Sequence, residues 1–135
     1  MPKMSPEERI KASLRRSKSE VFLRKDFDKF GNYDRVGRAL RSILREGILV
    51  RVGYGVYAKA RLSSLSGNPI PRATLIEIGL QTMRKLGVNA DIGQAARDYR
   101  DGKTTQMPMA VIVSVGKSRV ARKIGFGKRS IRYER

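Results

Sequence analysis

The sequence predicts an α+β protein in which an N-terminal winged helix-turn-helix is followed by a small C-terminal α+β subdomain. Three observations lead to this prediction: two helical patterns separated by a short turn, a glycine-centred hairpin pattern directly after them, and further helix and strand patterns later in the chain. Helix, turn, helix and hairpin, in that order, are the parts of a winged helix. We place the winged helix at residues 1–65 and the subdomain at residues 66–135.

The first predicted helix begins at Ser5, which has the side chain of a good N-cap. Pro6 suits the first helical position and Glu8 suits the third, where it can complete a capping box. Ile10 and Leu14, four residues apart, mark the face that we expect to be buried. The basic end of this helix either offsets the helix dipole or contacts phosphate, and its members are Lys11, Arg15, Arg16 and Lys18.

A short strand and a short helix are predicted next. Residues 21–23 form an apolar run that suits a strand paired with the later hairpin. Residues 25–30 predict a short helix, because Phe27 and Phe30 are three apart and can face one core. Gly31 ends this helix, which leaves the short turn of a helix-turn-helix.

The second full helix is predicted over residues 33–46 and carries opposite chemistry on its two faces. Asn32 is a suitable N-cap, Asp34 favours the positive end of the dipole, and Gly47 can end the helix. The apolar face has helical spacing and consists of Val36, Leu40, Ile43 and Leu44. The opposite face consists of Arg35, Arg38, Arg41 and Arg45.

A β-hairpin is predicted directly after this helix. Residues 48–52 are mostly β-branched, and residues 56–59 form the second apolar run. Between them lies Gly53-Tyr54-Gly55, whose glycines can adopt the positive φ angles of a tight reversal. In a winged helix this hairpin is the wing, which reaches the DNA backbone while the second helix lies in the major groove.

These motifs resemble those of small winged-helix regulators related to the AbiEi antitoxins of bacterial type IV toxin-antitoxin systems. The matching stretches are VFLRKDF at residues 21–27, VGRALRSILREG at 36–47 and RVGYGVY at 51–57, and the resemblance continues through 105–108 and 116–119. It implies a transcriptional regulator that binds double-stranded DNA and represses its own operon. It also implies an antitoxin role, with a nucleotidyltransferase-like toxin as the partner protein.

Charge is the strongest property of the whole chain. Lys and Arg number 30 against 12 Asp and Glu, which gives a formal net charge of +18, and the excess is spread over both halves. Such a chain is expected to bind a polyanion. An anionic membrane would require an amphipathic helix with exposed aromatic residues, which the sequence does not predict, so we expect no membrane partner.

Composition also argues against several kinds of chemistry. The chain contains no Cys and no His, which removes disulfides, thiolate and imidazole catalysis and most zinc sites. Asp91, Asp98 and Asp101 could in principle hold a metal, but they fit a helix cap and a turn better. We therefore expect no enzymatic activity, no metal and no cofactor. The N-terminus has no apolar stretch typical of a secretion signal, so a cytoplasmic location is expected.

The predicted DNA-binding residues come from the second helix and the hairpin, and they are Asn32, Tyr33, Arg35, Arg38, Arg41, Arg45, Arg51 and Tyr54. Taken alone, the arginine face would also suit a solvated helix surface, and Arg51 and Tyr54 would also suit an edge strand that must stay soluble. Their position after a turn, before a hairpin and in a strongly basic chain favours DNA. Further phosphate contacts are predicted at Arg16, Lys18, Lys117, Arg119, Lys128 and Arg129.

The C-terminal subdomain is predicted from a second set of patterns. Residues 61–72 are rich in Ser, Gly, Asn and Pro, and we place the domain boundary near Ser66. Helices are predicted over 73–86, with Ile76, Leu80 and Met83 on one face, and over 91–100. Strands are predicted over 109–115, around 120–124 and over 129–133. This subdomain is the expected surface for homodimer formation, toxin contact or additional nucleic-acid contact.

An RNA-binding structural or ribosome-associated protein is the alternative function. It would share the size, the positive charge and the lack of Cys and His. Proteins that bind unpaired RNA expose aromatic side chains for stacking, whereas four of the nine aromatic residues here are in core-like positions, namely Phe22, Phe27, Phe30 and Tyr57. The exceptions that keep the alternative open are Tyr33, Tyr54, Tyr99, Phe126 and Tyr133.

Overall fold

The computed structural model describes residues 4–135, and these divide into two compact units between Ala73 and Thr74. Both units contain helices and strands, so the predicted α+β class is confirmed. The division lies several residues later in the chain than the predicted boundary near Ser66, because residues 69–71 still pair with a strand of the first unit. Within the described residues, no helix combines the length and the apolar character needed to cross a membrane.

The first unit contains two α-helices, one 3-10 helix and four strands. In chain order they are α1 (Pro6–Arg16), β1 (Val21–Leu23), the 3-10 helix (Arg24–Phe30), α2 (Tyr33–Arg45), β2 (Leu49–Gly53), β3 (Val56–Leu62) and β4 (Pro69–Pro71).

Both α-helices begin at the residues that the sequence predicted. The Ser5 hydroxyl accepts a hydrogen bond from the backbone N–H of Glu8 at 3.2 Å, and Asn32 Oδ1 accepts one from the N–H of Arg35 at 2.9 Å. Each bond satisfies an amide that has no partner inside its helix. At the other end of α2, Gly47 has a φ of 76°, which suits the residue after a helix.

The sheet of the first unit places β3 between β1 and β2, and all pairs are antiparallel. The predicted pairing of residues 21–23 with the hairpin is confirmed, since Val21 lies opposite Ala58. The β2–β3 hairpin turns at Tyr54 and Gly55, and the φ of 66° at Gly55 explains the glycine there. Beyond the hairpin, β4 pairs with the far end of β3.

The core of the first unit forms where the helices cover this sheet. Phe27 of the 3-10 helix is almost fully buried, with its ring centroid 5.9 Å from that of Phe22 and 6.1 Å from that of Tyr57. Ile10 of α1 and Ile43 of α2 are fully buried in the same cluster. The predicted apolar faces of both helices therefore meet in one core, and the arginine face of α2 is left outside.

The second unit contains two helices and five short strands. They are α3 (Leu75–Lys85), β5 (Asp91–Ile92), α4 (Gln94–Arg100), β6 (Ile112–Ser114), β7 (Gly125–Phe126), β8 (Arg129–Ser130) and β9 (Arg132–Glu134). β6 lies between β5, which is antiparallel to it, and β9, which is parallel to it. β7 and β8 form a separate hairpin.

Several predictions for the second unit are wrong in detail. The helix predicted from Asp91 begins later, because Asp91 pairs with Ser114 as a strand and Gly93 is the N-cap. The strand predicted around 120–124 is absent, since the hairpin turns at Gly127 and Lys128 and pairs Gly125 with Ser130 instead. The single strand predicted over 129–133 is two strands, β8 and β9, separated by a buried Ile131.

The buried face of α3 is also rotated from the predicted one. Ile78, Gly79, Thr82 and Met83 are buried, whereas Ile76 and Leu80 are only half-buried. The prediction counted large apolar residues, but Gly79, which has no side chain, packs directly against β6. A Cβ atom at this glycine would lie 3.1 Å from Cγ2 of Val113, so the small residue sets the face.

Candidate nucleic-acid interface

The exposed face of α2 carries most of the predicted DNA-binding residues. Arg35 and Asn32 are exposed, and so is the Tyr33 side chain, which retains 75% of its accessible surface. Tyr54, at the tip of the β2–β3 hairpin, is 95% exposed. The N-cap bond of Asn32 gives this residue a structural function that is independent of any ligand.

Three of the four arginines on this face of α2 line clefts with different surroundings, and Arg45 is exposed at the end of the helix. Arg35 and Arg38 line a cleft of about 260 Å³ beside the start of α1, and this cleft also contains Glu7. Arg41 lies at the other edge of this face, beside the hairpin. A carboxylate next to Arg35 and Arg38 makes that side less favourable for a phosphate, whereas the hairpin side has no such acid among its described lining residues.

The cleft between α2 and the hairpin is lined by three arginines, and we call it the arginine notch. It has a volume of about 170 Å³, and its lining includes Arg24, Tyr33, Gly37, Arg41, Arg51 and Tyr57. An adjoining cleft of about 220 Å³ extends to Tyr54 and Gly55 at the hairpin tip and shares Arg24, Tyr33, Arg51 and Tyr57. The notch therefore continues to the exposed end of the hairpin.

Arg24 forms the back of the arginine notch and connects α2 to the hairpin. Its guanidinium carbon lies 4.4 Å from the centroid of the Tyr33 ring, and its Nη2 donates a hydrogen bond to the Tyr33 carbonyl at 2.8 Å. Its backbone N–H donates to the carbonyl of Gly55 at 2.9 Å. The side chain is thus held in one orientation by a ring face and a carbonyl.

Arg51 enters the notch from β2 and is also placed against an aromatic ring. It lies directly opposite Tyr57 in the β2–β3 register, and its guanidinium carbon is 5.9 Å from the Tyr57 ring centroid. Tyr57 is 5% exposed, so its ring is a fixed part of the core. Arg51 itself is exposed, which leaves its donors open to solvent or to a ligand.

The electrostatic setting of the notch suits an anion. Within the described part of the chain, the acid that pairs with Arg24 is Asp28, whose Oδ1 lies 3.9 Å from Nη1, beyond hydrogen-bond distance. Two other cations of the first unit are paired much more closely with acids. Lys11 lies 2.7 Å from Glu46, whose hydrogen bond raises the pKa of that lysine, and Glu20 likewise raises the pKa of Arg72.

Sequence reasoning missed three residues of the notch: Arg24, Gly37 and Tyr57. Arg24 belongs to the VFLRKDF motif, but its direction depends on the 3-10 turn that follows β1. Gly37 belongs to neither the apolar nor the arginine face of the predicted helix. Tyr57 is predicted in the core, where it lies. Arg24 and Tyr33 are nine residues apart in the chain, and helical periodicity predicts contacts only between residues three or four apart.

The remaining predicted phosphate contacts are not part of the notch. Arg16 and Lys18 lie at and just after the end of α1. In the second unit, Lys128 is in the β7–β8 turn and Arg129 is in β8, and both are exposed. Lys117 and Arg119 lie in the segment between β6 and β7.

The aspartates of the second unit do not form a metal-binding group. Asp98 accepts a hydrogen bond from Gln94 Nε2 at 2.8 Å, and Asp101 forms an ion pair with Arg100 at 3.2 Å. Asp91 is in β5, where its carboxylate accepts from the N–H of Ile92 at 2.7 Å. Within residues 4–135, no three acidic side chains are arranged to hold an ion.

Comparison with known proteins gives a family but no activity. A family of unknown function, DUF6088, matches residues 7–135, and the chain therefore belongs to this family. A search of curated proteins found no match.

Proposed function

We propose that this member of the DUF6088 family is a winged-helix protein that binds double-stranded DNA and regulates transcription as a repressor of its own operon. The observation that carries the proposal is the exposed arginine face of α2, which lies beside the β2–β3 hairpin. The element order supports it, since the 3-10 helix, a short turn, α2 and the hairpin follow one another as in a winged helix.

In this proposal α2 is the recognition helix. Tyr33, Arg35 and Arg38 are near its N-terminal end, from which side chains reach base edges in the major groove. An arginine can donate two hydrogen bonds to one guanine, which is the commonest specific contact between a side chain and a base. Arg41, Arg45, Arg51 and Tyr54 then contact the sugar-phosphate backbone, and the net charge of +18 adds attraction for any duplex.

We further propose that two copies bind two half-sites of one operator. A single small DNA-binding unit buries little surface, and regulators of this kind usually gain affinity by pairing half-sites about one helical turn apart. The second unit is the proposed pairing surface, and its Lys117, Arg119, Lys128 and Arg129 provide further phosphate contacts. Footprinting that protects one isolated half-site, with no repeat nearby, would contradict dimeric binding.

The resemblance to AbiEi-related regulators supports an additional proposal, an antitoxin role toward a nucleotidyltransferase-like toxin in the cytoplasm. Co-expression with the product of the neighbouring gene tests it. A toxin partner should arrest growth when expressed alone and should not do so when this protein is present. A neighbouring product that is harmless in both situations would remove the antitoxin proposal and leave the DNA-binding proposal unchanged.

An RNA-binding function is the second candidate, and a specific observation favours it. Tyr33 and Tyr54 are highly exposed beside arginine side chains, an arrangement on which unpaired bases can stack. The two functions differ in the nucleic acid that they require. Stacking needs unpaired bases, whereas a helix in the major groove needs a B-form duplex.

The test is fluorescence anisotropy with four probes: DNA from directly upstream of the gene, a scrambled duplex of the same length, and single-stranded and duplex RNA of the same sequence. The proposal expects the tightest binding to the upstream duplex. Arg38→Ala should reduce this preference, while Arg84→Ala, which removes an exposed arginine from α3, should not. Tighter binding to single-stranded RNA than to either DNA duplex would favour the second candidate.

A further inference from the structure

We propose that the arginine notch holds one phosphate group of the DNA backbone, and that Gly37 is the residue that keeps room for it. The inference rests on the proposed function and adds to it a defined phosphate site with its own residues. Two of these residues, Arg24 and Gly37, are not among the DNA contacts proposed above.

Gly37 is the first reason to see a ligand site here. A glycine inside a helix costs about 1 kcal/mol relative to alanine, and Gly37 does not have a positive φ that would demand a glycine. A Cβ atom at this position would lie 3.6 Å from Nη2 of Arg24 and 3.6 Å from Nη1 of Arg41. The missing side chain therefore leaves space between two guanidinium groups, where an anion would contact both.

The concentration of positive charge is the second reason. Arg24, Arg41 and Arg51 line one cleft of about 170 Å³, and none of its described lining residues is acidic. Three like charges in a small cleft repel one another, and an anion between them removes that cost. The Arg24 side chain is only 19% exposed, and its Nη1 has no hydrogen-bond acceptor within the described part of the chain. Partly buried guanidinium N–H groups that lack an acceptor bind phosphate oxygens well.

The third reason is that two of the three arginines are positioned before any ligand arrives. Arg24 lies over the Tyr33 ring and donates to the Tyr33 carbonyl, and Arg51 lies toward the Tyr57 ring. Side chains that are already oriented lose less conformational entropy on binding. Because the notch is at the edge of α2, a phosphate held there fixes how far and at what angle this helix enters the groove. It adds affinity on every sequence and reads no base.

The experiment replaces single phosphates of a short duplex with neutral methylphosphonates, one position at a time, and measures the affinity of each duplex for the full-length protein. For the wild-type protein, at least one position should weaken binding by about tenfold, the size expected for a hydrogen bond to a charged group. For Arg41→Gln and Arg24→Gln, the same position should have little effect, because the variant protein no longer binds that phosphate.

Three further comparisons separate a phosphate site from a structural role. Arg24 also supports the start of α2, so Arg41→Gln, which changes an exposed side chain, carries the test if Arg24→Gln unfolds. Gly37→Gln should fill the notch and reduce affinity about tenfold, although it should raise thermal stability through better helix propensity. Arg84→Gln, the control for charge alone, removes an exposed arginine of α3 and should lower affinity slightly and leave the sensitive methylphosphonate position unchanged.

The two proposals fail in distinguishable ways. If the wild-type protein binds DNA but the notch variants show the same sensitive positions as the wild type, the phosphate site is wrong and the DNA-binding function stands. If the wild-type protein binds no duplex at all, the proposed function is wrong and the phosphate site falls with it.

Discussion

Arginine side chains on the outer face of α2 differ in their neighbours. Arg41 lies across Gly37 from Arg24, whereas Arg35 and Arg38 share a cleft with Glu7. A carboxylate in that cleft repels an incoming phosphate, which carries a full negative charge, more strongly than it repels a neutral base edge in the major groove. The residue surroundings therefore support different roles for Arg41 and for the Arg35 and Arg38 pair.

Tyr133, in the second unit, gives a prediction about pH. Burial raises the pKa of its hydroxyl above the ordinary value of 10.0, although Arg122 and Arg135 act in the opposite direction. The hydroxyl donates a hydrogen bond to the carbonyl of Arg122 at 2.6 Å, which also requires the neutral form. The stability that Tyr133 contributes should be complete below the pKa of the unfolded chain and be lost as the pH rises through its higher folded pKa.

The measurement is an NMR titration of protein labelled at the tyrosine ring carbons, with the Tyr133 signal assigned by its absence from Tyr133→Phe. We expect the Tyr133 signal to change at a higher pH than the same signal in urea-unfolded protein. A change at lower pH than in the unfolded chain would mean that the charges of Arg122 and Arg135 outweigh burial.

At the scale of elements, a side-chain hydrogen bond from the helix amide to Asn32 caps the start of α2. Asn32 Oδ1 accepts a hydrogen bond from the N–H of Arg35 at 2.9 Å. This bond fixes the first turn of α2, in which the Tyr33 ring lies against Arg24. Asn32→Ala should lower the free energy of unfolding by about 1 kcal/mol, because an amide in the first turn loses its acceptor. Urea denaturation followed by circular dichroism measures this change.

Asn32→Asp is the matched control, since its carboxylate keeps an acceptor at the same position and suits the positive end of the helix dipole. We expect its unfolding free energy to stay within a few tenths of a kcal/mol of the wild type. If both variants destabilise the protein equally, the amide acts through an interaction other than the cap.

The elements that the sequence predicted best are those specified by neighbouring residues. Ser5, Pro6 and Glu8 mark the start of α1, and Asn32 marks that of α2, because a cap is a local hydrogen bond. The parallel pairing of β6 with β9 joins residues about twenty apart in the chain and has no local signal. The arginine face of α2 follows from helical spacing, but the arginine notch requires a 3-10 helix, an α-helix and a strand to converge.

At the scale of the molecule, the first unit has its own core. Ile10, Phe27, Val36, Ile43 and Leu49 are at most 2% exposed and belong to one cluster that residues before Ala73 form entirely. We therefore expect a fragment of residues 1–73 to fold cooperatively. Its thermal unfolding by circular dichroism should be sigmoidal, and its amide NMR signals should overlay those of the full chain. A fragment with the narrow amide dispersion of an unfolded chain would contradict this.

Under the proposed function, the net charge of +18 predicts that much of the affinity for any DNA is electrostatic and falls steeply with salt. Specific and non-specific contributions are separated by comparing two groups of variants. Arg35→Ala and Arg38→Ala remove side chains that we propose to read bases. Arg51→Ala and Lys128→Ala remove side chains that we propose to contact phosphates in the first and second unit, respectively.

Arg35→Ala or Arg38→Ala should cost about 1–3 kcal/mol at the operator and much less on a scrambled duplex, so that specificity falls. Arg51→Ala and Lys128→Ala should weaken both duplexes alike and reduce the slope of log affinity against log salt concentration by roughly one for each phosphate that the variant no longer neutralises. Fluorescence anisotropy of each variant on both duplexes, across a salt series, measures both quantities. If Arg35→Ala and Lys128→Ala lower the affinity for operator and scrambled DNA equally, α2 does not read the bases and the winged-helix mechanism is wrong.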